Sequence, residues 1–429
     1  VSLLFAAGQH EVEAFLLRVL VQLIVIILAA RVGGWLFRRL GQPQVCGEIA
    51  AGILLGPSCF GYFAPQAAAS VFPPDPQLGM VFKVLAEIGL IFLMFLVGLE
   101  FEFGLLKRMG RTAATVSAAG VALPFCIGLG LAQFLHPRLA ADYDKLGFSL
   151  FMAIALSITA MPVLARIMLE LNLTRTRIGV LAITAAAVDD ATGWMLLAAI
   201  AAAVRGEFDP IKVAIMLAAT LGFVVGILFV FRPLAKRWIQ SLRLHENGEL
   251  SVSQFAVVIT AMFLAAVATN TIGIFAIFGP FILGASLWDE TEFRAAMNRR
   301  LGDFVTVFFL PIFFTLTGLR TRIETLSGVE TWGWCAIVLA AAIFGKFVGC
   351  GLTARLSRQF SIAEAACIGA MMNTRGLMEL IVINLGRELG VLPDSVFCML
   401  VIMAVVTTFM TAPILSRLIA RDPAITAKT

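Results

Sequence analysis

A succession of apolar runs about 20 residues long constrains this chain more than any other feature, because a helix of that length crosses the hydrocarbon core of a bilayer. Read on that length, the sequence divides into thirteen segments at roughly 12–38, 44–57, 78–100, 112–135, 147–170, 177–204, 210–231, 250–269, 272–288, 301–319, 331–355, 361–386 and 393–418. The second and ninth are short and glycine-rich, so they need tilting or protein neighbours. Composition agrees: 60% of the residues are hydrophobic and 14% charged, against about 45–50% and 25% in soluble domains. A soluble globular fold is thereby excluded, and the expected class is an all-α polytopic membrane protein.

The net charge of +5 is spread over short loops with no polybasic run, which gives no footprint for nucleic acid. Seven cysteines form no CxxC and no Cys/His cluster, so they read as small hydrophobes rather than disulfide or metal ligands. The first apolar stretch, residues 15–36, is too long for the core of a cleaved leader and lacks a small-residue cleavage site. No linker, low-complexity stretch or soluble regulatory domain is expected within these 429 residues.

Loop charge sets orientation. One set of loops carries Arg38, Arg39, Lys107, Arg108, Arg175, Arg177, Arg232, Lys236, Arg237, Arg243, Arg299, Arg300, Arg355, Arg358, Arg417, Arg421 and Lys428, among others. The opposite set has only Arg138, Lys145, Arg205, Lys212, Arg320, Arg322 and Arg387. The basic side is read as cytoplasmic. The N-terminus is then outside and the C-terminus inside, in a plasma (cell inner) membrane, as an odd number of segments demands.

An internal repeat is visible. AGILLGPS (51–58) resembles GPFILGAS (279–286), and FLVGLEFE (95–102) resembles TLTGLRTR (315–322). Matched segments would run in opposite directions, which predicts a six-plus-six inverted repeat. The first repeat covers about 12–204, a linker helix about 210–231, and the second repeat about 250–418. Such repeats place a site where two discontinuous helices cross near the midplane. Two mid-span interruptions match: Pro162 in SITAMPVLA (157–165), expected to free the carbonyl of Ile158, and Asn373 to Gly376 in MMNTRGLMEL (371–380).

AAAVDDATGW (185–194) sets Asp189 and Asp190 in the middle of an apolar segment. Each mid-membrane charge costs about 2.5–3.5 kcal/mol on insertion scales, roughly 5–7 for the two, so partners or a function are required. Lys346 and Arg375 lie at similar depth, and Thr159 and Asn373 add uncharged oxygens. Carboxylate, hydroxyl and carbonyl oxygens form a hard site suited to alkali cations. A carboxylate drawn from water beside a second one holds its proton more tightly, so one group can carry a proton or a metal ion but not both. That competition is the physical basis of cation–proton exchange. A purely structural Asp189–Lys346 pair would account for one carboxylate and leave the other unexplained.

Lys346 is read as neutralising one aspartate, and Arg375 as holding the crossed half-helices by their freed carbonyls. Glu379 and Glu87 are secondary candidates, pairing with basic groups or lining the ion path. Glu48 reads as interfacial and Arg18 as snorkelling or at a subunit contact. His10, His136 and His245 read as loop residues. A gated cation channel is the competing class, but no repeated filter-like loop is present. An organic-solute symporter would need a substrate pocket that the breaks do not announce.

GEIAAGILLGPS, GLIFLMFLVGLEFE, AAAVDDATGW and MNTRGLMELIVINLG resemble the membrane domain of the monovalent cation:proton antiporter superfamily, in its Kef-, Nap- and CHX-like branch, over nearly the whole chain. The resemblance implies a thirteen-helix sodium/hydrogen-exchanger fold with two crossed discontinuous helices, a dimerisation and a mobile core domain, elevator-like alternating access and a homodimer. It implies that Asp190 is the obligatory ion- and proton-binding carboxylate, with Asp189 paired to Lys346 and Thr159 at the crossover. Paired aspartates with the lysine imply electrogenic exchange of Na+ or K+ for protons, with no cofactor and no enzymatic reaction. Kef-like proteins differ in having Gln-Asp and a C-terminal Rossmann domain, leaving a Kef-like gated potassium efflux system or channel-like protein as the alternative. Expected partners are small cations and protons, bilayer lipid, a second copy of the chain and, still open, a separate regulatory subunit.

Overall fold

The computed structural model describes residues 2–42, 44–73, 75–100, 111–171, 173, 176–206, 209–241 and 250–422. Lys107, Arg108, Arg175, Arg243, Lys428, His245 and the last two residues of FLVGLEFE lie outside them. The described residues are helical almost throughout, with no β-strand among them. In chain order the main helices are α1 (Ser2–Arg39), α2 (Gln44–Leu55), α3 (Pro76–Glu100), α4 (Arg111–Leu139), α5 (Lys145–Ser157), α6 (Met161–Glu170), α7 (Arg177–Arg205), α8 (Pro210–Gly226) and α9 (Arg232–Ser241). They continue with α10 (Val252–Ile272), α11 (Phe278–Ser286), α12 (Thr291–Met297), α13 (Leu310–Leu319), α14 (Val329–Leu356), α15 (Ile362–Met372), α16 (Leu377–Glu388) and α17 (Asp394–Arg421). Among the described residues, ten helical runs are long and apolar enough to cross a membrane. The pairs α5/α6 and α15/α16 are each one segment broken in the middle.

The chain forms two compact units, one of Val1–Leu90 with Asp303–Glu324 and one of Ile91–Gly302 with Thr325–Thr429. In the first, α1, α2 and α13 pack together. Glycine allows the closest approach: a β-carbon on Gly52 would collide with the Thr315 backbone, and one on Gly318 with the backbone of Ile49 and Ile53. The second unit repeats the arrangement. A β-carbon on Gly98 would collide with the backbone of Phe281 and Ala285, and one on Gly284 with that of Phe95 and Leu99. Each glycine belongs to one of the four related stretches, and AGILLGPS thus meets TLTGLRTR while FLVGLEFE meets GPFILGAS. With lipid as apolar as any side chain, such backbone-to-backbone packing is what brings membrane helices together.

The second unit also gathers α4, α5, α7, α14, α15, α16 and α17. Helix starts follow capping chemistry. Asp144 accepts from the Gly147 amide before α5, and Thr176 from Gly179 before α7. Ser361 and Glu364 form a reciprocal capping box before α15.

Several expectations shift. The linker helix does not stop near 231: a π turn, Ile227–Phe231, carries it on into α9. There Arg232 (3.1 Å) and Lys236 grip Asp289, and Lys236 also reaches Glu290 (3.4 Å). Partial burial pushes the Asp289 carboxyl up, but the Lys236 hydrogen bond and the two positive charges outweigh it and hold it below the usual carboxylate range. The anchor is therefore complete above about pH 4 and loosens as pH falls through the lowered value. His10 and His136 lie in helices rather than loops, because α1 and α4 run past their apolar cores. Glu48 is buried rather than interfacial, with Gln44 Nε2 donating to it at 2.7 Å from one turn earlier.

Gly318→Val forces backbone apart and is expected to destabilise the detergent-purified protein by about 1–3 kcal/mol. Gly79→Ala has open space around its β-carbon and is expected to leave the unfolding midpoint unchanged or slightly raised. Thermal unfolding of the two variants beside the parent checks this.

Candidate ion and proton site

The site grows from the two helix breaks. α5 ends at Ser157, Ile158 is extended (φ −78°, ψ 142°), and the chain re-enters helix at Met161. Pro162 thus falls in the first turn of α6, where a missing N–H costs nothing, rather than kinking a continuous helix. In the other segment α15 ends at Met372 and α16 begins at Leu377. The breaks bind each other across the crossing: the Ala160 amide donates to the Thr374 carbonyl at 2.9 Å. Thr159 Oγ1 stands 2.9 Å from the Met372 carbonyl and 3.0 Å from Asp189 Oδ2.

Arg375, fully buried, completes the crossing. Its guanidinium donates to the carbonyls of Ala155 (2.5 Å) and Leu156 (2.7 Å), which the end of α5 leaves without helical partners, and to Glu379 Oε2 (2.7 Å). The Ile158 carbonyl, the one that Pro162 is expected to free, is only a long contact of Arg375 at 3.5 Å. α17 attends to the backbone of the break: Thr408 Oγ1 accepts from the Arg375 amide (3.1 Å) and lies 2.7 Å from its carbonyl, and Thr411 pairs with Thr374 (3.3 Å).

The two aspartates on α7 meet different surroundings. Asp189 is completely buried and closely attended: Lys346 Nζ of α14 donates to Oδ2 at 2.7 Å and Ser117 Oγ of α4 to Oδ1 at 2.6 Å. Asp190, 4% exposed, lies by the Met161 amide at the N-terminus of α6, where the helix dipole favours an anion. Its Oδ1 is buried and has no hydrogen-bond partner among the described residues. Asn373 Oδ1 is in the same condition, within a break whose flanking carbonyls, of Met372 and Thr374, receive Thr159 and Ala160. Among the described residues no group of three or more His, Cys, Asp or Glu side chains is disposed to hold a metal ion. What the arrangement offers is one carboxylate neutralised in place and a second with an open oxygen.

Of the residues singled out from sequence, Asp189, Asp190, Thr159, Lys346, Arg375, Asn373 and Glu379 all lie in the second unit and are all buried. Glu87 belongs to the first unit; its side chain is 53% exposed and faces Lys83 one turn away at 4.0 Å. Ser117, Thr408 and Thr411 escaped the sequence reading. Ser117 shares the buried face of α4 with Gly120 and Pro124. That spacing is its only signal, and small residues are common in any membrane helix.

Comparison with known proteins sharpens the picture. The family model described as "Sodium/hydrogen exchanger, transmembrane" matches residues 26–420. This chain belongs to that family. The sodium/hydrogen exchanger relatives include the Na(+)/H(+) antiporter NhaS4 of Synechocystis, 40% identical across 94% of this chain and 97% of that protein. Cation/H(+) antiporter 18 of Arabidopsis thaliana is 37% identical across 95% of this chain and 50% of its own length. K(+)/H(+) antiporter 1 of Saccharomyces cerevisiae is 31% identical across 92% and 46%. The chain thus spans about half the length of the plant and yeast relatives. The sodium proton antiporter MjNhaP1 of Methanocaldococcus jannaschii shares the fold, with a TM-score of 0.67 at 15% identity over 96% of this chain and 98% of that one.

Lys346→Ala leaves the buried Asp189 carboxyl without its ion-pair partner. It is expected to cost about 3–5 kcal/mol, and adding Asp189→Asn to recover part of that. A double-mutant cycle on unfolding midpoints in detergent measures both terms.

Proposed function

We propose that this chain exchanges a monovalent cation, Na+ or K+, for protons across a membrane, and that Asp190 is the group that carries either one. The observation behind this reading is the inequality of the two aspartates. Asp189 already accepts from an ammonium and a hydroxyl, while Asp190 keeps a buried oxygen with no donor among the described residues. An anionic oxygen in that condition takes a proton or a hard cation, and taking one excludes the other. Asn373 Oδ1 and Thr159 Oγ1 supply neutral oxygens at the crossing, Lys346 balances Asp189, and Arg375 with Glu379 keeps the breaks in register. Relatives named for Na+ and for K+ support the class of cargo and leave both ions in the reading.

The fuller architecture belongs to the same proposal: thirteen spans in a six-plus-six inverted repeat, N-terminus outside, in a plasma membrane, working as a homodimer by alternating access. The reciprocal glycine contacts support the repeat, since each half's first motif packs on the other half's second. Electrogenic exchange, with more than one proton per cation, belongs to the same proposal and rests on the paired aspartates with Lys346. No cofactor takes part.

Asp190→Asn is expected to abolish cation-driven proton flux in everted vesicles while purifying with the parent's elution volume and unfolding midpoint. Flux at the parent's level would overturn the assignment.

A further inference from the structure

Trp194 lies one turn after Asp190 on α7, so the two side chains leave the helix on the same face, with β-carbons about 5–6 Å apart. It is 3% exposed, and its indole Nε1–H is buried with no hydrogen-bond partner among the described residues. Its ring is seated against two aromatic side chains of α11, Phe278 at 5.6 Å edge-on and Phe281 at 5.4 Å. A role in packing needs only the ring, and phenylalanine would provide that without burying a polar group. Buried indole N–H groups otherwise find an acceptor.

The one face therefore carries a donor and an acceptor, Trp194 Nε1–H and Asp190 Oδ1, neither matched among the described residues. A bare cation answers only half of this, because it binds the carboxylate oxygen but cannot accept from N–H. A water molecule answers the other half. One lone pair accepts from the indole, and the other faces a cation lying on Asp190. We infer that the cation is bound partly hydrated, keeping a water that Trp194 holds, so that Trp194 is a ligand-binding residue of the exchange site. This rests on the reading of Asp190 given above. The α11 aromatics keep the indole in place, so the donor is presented to the cation's water without rearrangement.

The test is a titration of the detergent-purified chain with NaCl, LiCl or KCl at constant ionic strength, reading thermal stabilisation by each ion. Trp194→Phe keeps the ring and removes the donor. Its apparent affinity for the stabilising ion is expected to be about three- to tenfold weaker, the loss of one neutral hydrogen bond. In proteoliposomes KM for that ion rises by a similar factor, exceeding any fall in kcat. Trp194→His, which retains a ring N–H, is expected to recover affinity. It also serves as the measured variant if phenylalanine does not support the fold. Parent-like ion affinity in Trp194→Phe overturns the inference, as does an equal loss in a folded Trp194→His. Asp190→Asn separates the two levels. Loss of ion stabilisation there with parent-like affinity in Trp194→Phe removes Trp194 alone, whereas parent-like affinity in Asp190→Asn removes the exchange-site assignment itself.

Discussion

Two helices cannot be interrupted inside an apolar layer unless something answers their severed backbone, and here Arg375 is the principal answer. Its guanidinium spans from the end of α5 to Glu379, gathering carbonyls that no helix satisfies. A lysine could not do this, because only a planar fork of several donors reaches two carbonyls and a carboxylate together. The rest of the site follows from that crossing. Once Ala155, Leu156, Thr374 and Met372 are held, Thr159 is brought against Asp189 and the start of α6 against Asp190.

Charge placement then obeys a division of labour. One carboxylate is given a full ion pair and a hydroxyl; its neighbour receives a helix N-terminus and an open oxygen. Two fully paired aspartates would leave no open oxygen, and two unpaired ones would strain folding by roughly the insertion cost of each. Adjacent positions on α7 make the difference possible, since successive residues leave a helix about 100° apart and meet different neighbours. Asp189 turns to α4 and α14, and Asp190 to α6.

The glycine contacts carry the same logic to the scaffold. Gly52 with Gly318 and Gly98 with Gly284 bring α2 against α13 and α3 against α11 at backbone distance. Recurrent sequence stretches with no chemistry of their own thus turn out to be packing surfaces. Their resemblance to one another reflects one packing solution used in each compact unit.

Much of this was legible in the chain itself. Apolar run length determined an all-helical membrane protein, and Asp189, Asp190, Lys346 and Arg375 stood out because ionisable groups are so costly at that depth. The two breaks were visible in Pro162 and in Asn373 to Gly376. What the sequence could not say is which residue touches which. Ser117, Thr408 and Thr411 are ordinary small polar residues until tertiary packing sets them against Asp189 and the α15/α16 break. Glu87 and Glu379 look alike in an apolar string, yet one is half-exposed beside Lys83 and the other buried under Arg375. Hydropathy reads the cost of a charge, which is a property of one residue and its depth. Partnership depends on the rotation and crossing of helices far apart in sequence, and only the tertiary structure decides that.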